Sequence, residues 1–153
     1  MSNSENPNRL PFRAVLLKTV KIKTNQSKMK FLMLMIPRGY QPDTPAAERA
    51  GEDFAPRRED LEPLGKFNDE LAKAGKIIDI DGLHPLAKGA RVTFAKGKAT
   101  VTEGPYIESK EVIGGYWIIE LKSKEEAVEW AQRCPAQDGD VIEIRPIFEF
   151  PPA

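Results

Sequence analysis

A single cysteine, Cys134, and a single histidine, His84, occur in this chain of 153 residues. One thiol excludes an internal disulfide framework, and one imidazole excludes a histidine-rich metal centre. Net charge is missing too: 23 basic residues offset 23 acidic ones, so the chain as a whole does not attract polyanions. No apolar run is long enough to span a bilayer or to form the core of a secretory signal. The glycines at 104, 114 and 115 form neither a phosphate-binding loop nor a dinucleotide fingerprint, and no serine sits in a nucleophile elbow. These absences predict a cytoplasmic protein with no membrane partner, no nucleic-acid partner, no metal and no cofactor.

What is present suffices for a core. Hydrophobic residues make up 41% of the chain, enough for one compact domain plus a tail. The zero net charge conceals an asymmetry: residues 1–28 hold Arg9, Arg13, Lys18, Lys21, Lys23 and Lys28 against Glu5 alone, leaving 17 basic and 22 acidic residues from Met29 onward. The basic segment reads as a disordered extension, although residues 12–22 are amphipathic enough to suit a targeting or membrane-surface role. The organised domain is expected over 29–150, with 151–153 as a frayed end.

Phe31 to Ile36 and Tyr116 to Leu121 are almost wholly apolar runs, the pattern of interior strands covered on both faces, and each is expected to neighbour the other. From Thr44, with Pro45 as a first-turn proline, the spacing predicts one broken helix or two in series, interrupted at Pro56 and continuing through Leu61, Leu64, Phe67, Leu71 and Ala74 to Gly75. Lys76 to Asp81 predicts a strand with Ile78 and Ile80 on one face and Asp79 and Asp81 on the other. A hairpin is expected over 91–102 about the turn Lys96-Gly97-Lys98. Ser123 and Glu126 form a capping box ahead of the stripe Ala127, Trp130, Ala131, Cys134. Val141 to Phe150 alternates as a last strand, and Pro146 marks it as an edge.

This order is α+β, a ferredoxin-like βαββαβ arrangement with an inserted β-hairpin. Two helices cover only one face of such a sheet. The apolar strands therefore predict a homodimer through the open sheet face.

At Glu103-Gly104-Pro105-Tyr106, followed by Glu108-Ser109-Lys110-Glu111 and Gly114-Gly115-Tyr116, the sequence resembles the YCII-related proteins, specifically the branch named for a DGPF motif. Met29-Lys30-Phe31, Leu71-Ala74-Gly75, Gly82-Leu83-His84-Pro85, Ala127-Trp130-Ala131 and Ile144-Arg145-Pro146 extend the resemblance over nearly all of 29–150. Glu103 stands where the motif has Asp, and Tyr106 where it has Phe. The resemblance implies a dimeric α+β barrel with a pocket read as an active site, in a family whose biochemical activity is largely unassigned.

His84 is the one side chain whose ordinary pKa lies near neutrality, so it is the candidate proton carrier, and Asp81 or Asp79 could fix its tautomer. Glu103, Glu108, Lys110 and Glu111, with the Tyr106 phenol, form a glycine-framed run of alternating charge suited to a small polar ligand, or to an ion-pair lattice. Arg145 is expected to pair across strands with a residue such as Glu120. Two functions are open to such a chain: a small-molecule enzyme using His/carboxylate acid-base chemistry, or a non-catalytic small-ligand-binding or regulatory module of the same fold.

Overall fold

The computed structural model describes residues 28–104 and 111–152. The basic segment lies outside them except for Lys28, as do Tyr106, Glu108 and Lys110. Within the described residues the protein is α+β, with six strands in two antiparallel sheets and two α-helices.

The larger sheet contains β1 (Met29–Ile36), β2 (Lys76–Gly82), β5 (Gly115–Leu121) and β6 (Val141–Pro146), in the order β2-β5-β1-β6. The two strands without a polar face occupy the two interior positions, where each is paired along both edges. β1 pairs with β5 from Met29 opposite Leu121 to Met35 opposite Gly115. Its other edge takes β6, from Phe31 opposite Pro146 to Ile36 opposite Val141. Pro146 has no N–H to donate and lies on an edge strand, where that loss costs least.

One face of this sheet carries the core. Phe31, Met33, Trp117, Ile119 and Leu121 pack with Phe67 and Leu71 of α1 (Arg58–Ala74) and with Ala127 and Trp130 of α2 (Lys124–Gln132). Phe67 meets Trp117 and Trp130 edge-on, at centroid distances of 6.1 and 6.2 Å, contacts that add about 0.5–1.5 kcal/mol each beyond the area they bury. The buried end of Trp117 keeps its hydrogen bond, donating from Nε1 to Asn68 Oδ1 at 2.9 Å. α2 starts where its capping box requires: the Ser123 hydroxyl accepts from the Glu126 amide at 3.1 Å. Cys134 lies two residues beyond that helix, half-buried, and burial, helped by the charge of Asp140, pushes its thiol up to about 11. It packs against the core, in surroundings that disfavour the thiolate.

The other face has no helix. Leu32, Leu34, Tyr116 and Ile118 lie there half-buried, opposite one another in register. Among the described residues the sheet is open, with β2 and β6 as its edges.

Several expectations need correction. The last strand ends at Pro146 and not at Phe150, and Phe148 and Phe150 are exposed beyond it. The stretch from Thr44 to Arg57 is not helix. It holds only a three-residue 3-10 turn at Ala46–Glu48, because the Thr44 hydroxyl donates back to the Arg38 carbonyl at 2.6 Å and Gly51 and Pro56 interrupt the chain beyond that turn. In β2 the pairing with β5 skips a residue between Ile77 and Asp79. This bulge leaves Ile78 exposed and turns Ile77, with Ile80, toward the core, while Asp79 and Asp81 reach the open face opposite Ile118 and Tyr116. Arg145 pairs with Glu143 on its own strand, not with Glu120; Glu120 stands opposite Lys30 and Lys76 instead.

The smaller sheet is the hairpin of β3 (Ala90–Ala95) and β4 (Lys98–Glu103). Lys96 and Gly97 both take positive φ, 50° and 76°, the two-residue turn whose twist matches paired strands. Its pairing puts Val92, Phe94, Ala99 and Val101 on one face and Arg91, Thr93, Thr100 and Thr102 on the other. Phe94 is 77% exposed. A two-stranded sheet is marginal alone, and nothing among the described residues covers its apolar face.

Candidate functional site

The loop replacing the expected helix builds one wall of a cleft. Residues 39–52 arch over the turn that follows β2, enclosing a cleft of about 550 Å³ lined by Gly39, Tyr40, Pro42, Ala46, Arg49, Ala50, Gly51 and Glu52 on one side and by Pro85, Leu86 and Ala87 on the other. That volume lies in the range of small-molecule sites. Pro85 is buried and Pro42, Ala50 and Leu86 half-buried, whereas Ala46, Arg49 and Glu52 are exposed. The cleft therefore has an apolar floor and a charged rim.

Both walls are fastened. The Ala50 amide donates to the Gly39 carbonyl at 2.8 Å and closes the loop on itself. The Tyr40 hydroxyl donates to the Leu83 carbonyl at 2.7 Å, tying the loop to the opposite wall, and partial burial raises its pKa. Gln41 anchors the loop to the chain entering β5. Its amide nitrogen donates to the carbonyls of Pro37 and Val112, at 2.6 and 2.9 Å, while its oxygen accepts from the Val112 amide at 2.8 Å. Val112 is buried, so those backbone groups have no water to turn to.

The second wall, a 3-10 turn at Leu86–Lys88, is held from behind by Gly104. The Gly104 amide donates to the Gly89 carbonyl at 2.8 Å. A Cβ at residue 104 would overlap the Leu86 carbonyl oxygen. Only glycine fits there, so the second residue of the Glu103-Gly104-Pro105-Tyr106 motif serves the cavity wall by close approach.

The predicted site residues fall in three places. His84 lies on the segment between the Tyr40 tether and the buried Pro85; its imidazole is exposed and makes no hydrogen bond or ion pair with another described residue. Asp79 and Asp81 lie on the open sheet face with Tyr116, whose hydroxyl donates to Asp79 Oδ2 at 2.8 Å. That hydrogen bond raises the Tyr116 pKa, with desolvation and the charges of Asp79 and Asp81 acting in the same direction. Glu103 is exposed at the end of β4 opposite Ala90, and Glu111 is exposed with φ of 54°. Neither lines the cleft, and Tyr106, Glu108 and Lys110 lie outside the described residues.

Tyr40, Gln41, Arg49 and Glu52 carry no pattern that singles them out in the sequence. The signal was there in punctuation: Pro37, Gly39, Pro42, Pro45, Gly51 and Pro56 interrupt twenty residues, and a long loop inside a compact domain is more often functional than not. Among the described residues no group of three or more His, Cys, Asp or Glu side chains is placed to hold a metal ion, and no helix is long and apolar enough to cross a membrane.

Residues 29–151 match the model of the YCII-related domain. Over 94 residues the chain is 26% identical to an uncharacterized protein of Rhizobium meliloti (strain 1021), an alignment spanning 60% of this chain and 76% of that one.

The geometry makes two outcomes testable. Gln41→Leu strands the Val112 amide and carbonyl; a loss of about 1–3 kcal/mol is expected in urea unfolding, with faster hydrogen exchange at Val112, and an unchanged exchange rate would contradict the anchor. The Tyr116 hydrogen bond to Asp79 exists only while the phenol is protonated. Its contribution to stability is therefore complete below the ordinary tyrosine pKa near 10 and disappears as pH rises through the raised folded-state value. NMR titration of the Tyr116 ring should give a midpoint above the ordinary value that Asp79→Asn lowers; no response to that substitution contradicts the pairing.

Proposed function

Because the chain belongs to the YCII-related domain family, we propose that it is a small-molecule protein of that family, binding its ligand in the cleft between residues 39–52 and the Leu86–Lys88 turn. The observation that carries this reading is the double fastening of the cleft, by Tyr40 to Leu83 and by Gln41 to Val112. Walls fixed before a ligand arrives lower the ordering cost of binding. Within the family, the Glu103-Gly104-Pro105-Tyr106 motif supports placement in the DGPF branch. The start of the family match at Met29 supports treating residues 1–28 as an extension outside the domain.

Acid-base catalysis is the second reading, favoured by one observation: His84 sits on the segment joining the carboxylate edge of Asp79 and Asp81 to the cleft wall at Pro85. In it His84 carries the proton, Asp81 or Asp79 orients the imidazole, and Glu103, Tyr106, Glu108, Lys110 and Glu111 shape the approach of a small polar substrate.

The strand order β2-β5-β1-β6, with both helices on one face, supports the ferredoxin-like description, the β3-β4 hairpin being an insertion before β5. A homodimer belongs to the same proposal. Leu32, Leu34 and Ile118 form an apolar stripe on the open face, flanked by Asp79, Asp81, Glu143 and Arg145, and a second copy packed face to face would complete an α+β barrel.

The ligand reading is tested by a fragment screen on the full chain, followed by NMR of the Ala46 and Ala50 methyls and the His84 ring. Binding should move the methyls, and Ala46→Trp should abolish it; binding that survives Ala46→Trp, or no binder at all, overturns the cleft. A His84 shift on binding, together with a His84 pKa that moves in Asp81→Asn or Asp79→Asn, would favour the catalytic reading, and insensitivity to both variants would sink it. Sedimentation should give a dimer that Ile118→Arg converts to monomer. A wild-type monomer at about 100 μM, a concentration where even a weak specific dimer forms, would remove the barrel.

A further inference from the structure

The rim of the cleft carries two opposite charges that do not pair with each other. Among the described residues neither the Arg49 guanidinium nor the Glu52 carboxylate makes a hydrogen bond or ion pair with any side chain, although both line the same cavity. The cations beside them behave differently: Arg38 pairs with Glu48, and Arg57 pairs with Glu59 and Asp60. Below the two rim charges the floor is apolar, formed by Pro42, Ala50, Pro85 and Leu86. A ligand matched to this surface has a cationic and an anionic group close together at one end and a short apolar body at the other.

We propose that the cleft binds a small zwitterion with an apolar side chain, of the α-amino acid class, its carboxylate on Arg49, its ammonium on Glu52 and its side chain against Leu86 and Pro85. The inference rests on the cleft being the ligand site. It adds the chemical class and the two residues that select it. Arg49 suits the carboxylate because its planar fork can donate two parallel hydrogen bonds. Glu52 works against a ligand with an anionic head alone, since bringing a second negative charge to the rim without a cation repels it. A bare amine is opposed by Arg49 in the same way. Each charge thus recognises one half of the ligand and rejects molecules lacking the other half.

The test is calorimetric titration of the full chain with four probes of one skeleton: leucine, 4-methylpentanoate, 3-methylbutylamine and 4-methylpentanamide. Leucine should bind tightest, with each of the other three weaker by about tenfold or more, the effect of one charge-assisted contact. Arg49→Gln should weaken leucine and 4-methylpentanoate and spare the amine. Glu52→Gln should weaken leucine and the amine and spare, or tighten, the acid. Both side chains are exposed and make no contact the fold requires, so the variants should unfold like the wild type. If the probes bind alike, or if the acid, amine or amide binds better than leucine, while Ala46→Trp abolishes binding, the cleft remains the ligand site and the zwitterion inference is overturned. If leucine binds best but Ala46→Trp leaves it bound, or if no probe binds, the inference falls; in the first case the cleft falls with it, and in the second the fragment screen decides the cleft separately.

Discussion

The carboxamide of Gln41 lies between a loop whose regular structure is two three-residue 3-10 turns and a segment of chain that has not yet entered its strand. It donates to the carbonyls of Pro37 and Val112 and accepts from the Val112 amide, so for the two backbone groups of Val112 it stands in for a neighbouring strand. Those groups are buried, and leaving such groups unpaired costs more than the pairing contributes. The loop is therefore held by the need of the sheet beside it, and Tyr40, the next residue back, is aimed at Leu83 as a result. The cleft wall, its tether and the start of β5 share this one side chain.

The family motif takes on a different meaning in this setting. Charge is the conspicuous property of the Glu103 to Glu111 run, yet the described part of it acts through its smallest member. Gly104 lets the Leu86 carbonyl come where a methyl group would otherwise be. The motif contributes shape to the cleft at a distance from its rim, while Arg49 and Glu52 on the opposite wall contribute charge.

Much of the fold was legible because it rests on unambiguous patterns. Two six-residue apolar runs have no place except the interior of a sheet, Ser123 and Glu126 mark a helix start by themselves, and Pro146 cannot occupy a central strand. What was not legible depended on competition between local and distant partners. Thr44 looks like an N-cap, but its hydroxyl finds the Arg38 carbonyl, a contact no spacing rule contains. Asp79 also has a partner that its neighbours in sequence do not announce, since Tyr116 arrives from β5 and donates to its Oδ2. The cleft was hidden because its residues are distinguished by where the chain folds them and not by their types: Pro42, Ala50 and Leu86 are ordinary until they face one another.

The bulge at Ile78 acts as a phase shifter. Upstream of it Ile77 faces inward, and downstream Ile80 faces inward, an odd interval that a regular strand cannot accommodate. Pairing Ile78 in the ladder without the bulge would restore the even repeat and send the remainder of β2 through half a period, bringing carboxylates under the helices and isoleucine onto the open face. Substitutions along this strand have room to drift, since many side chains fit each position. Its length is tied to the bulge: a residue can be lost only where the bulge is lost with it, so a gap in relatives should fall at residue 78 and not elsewhere in β2.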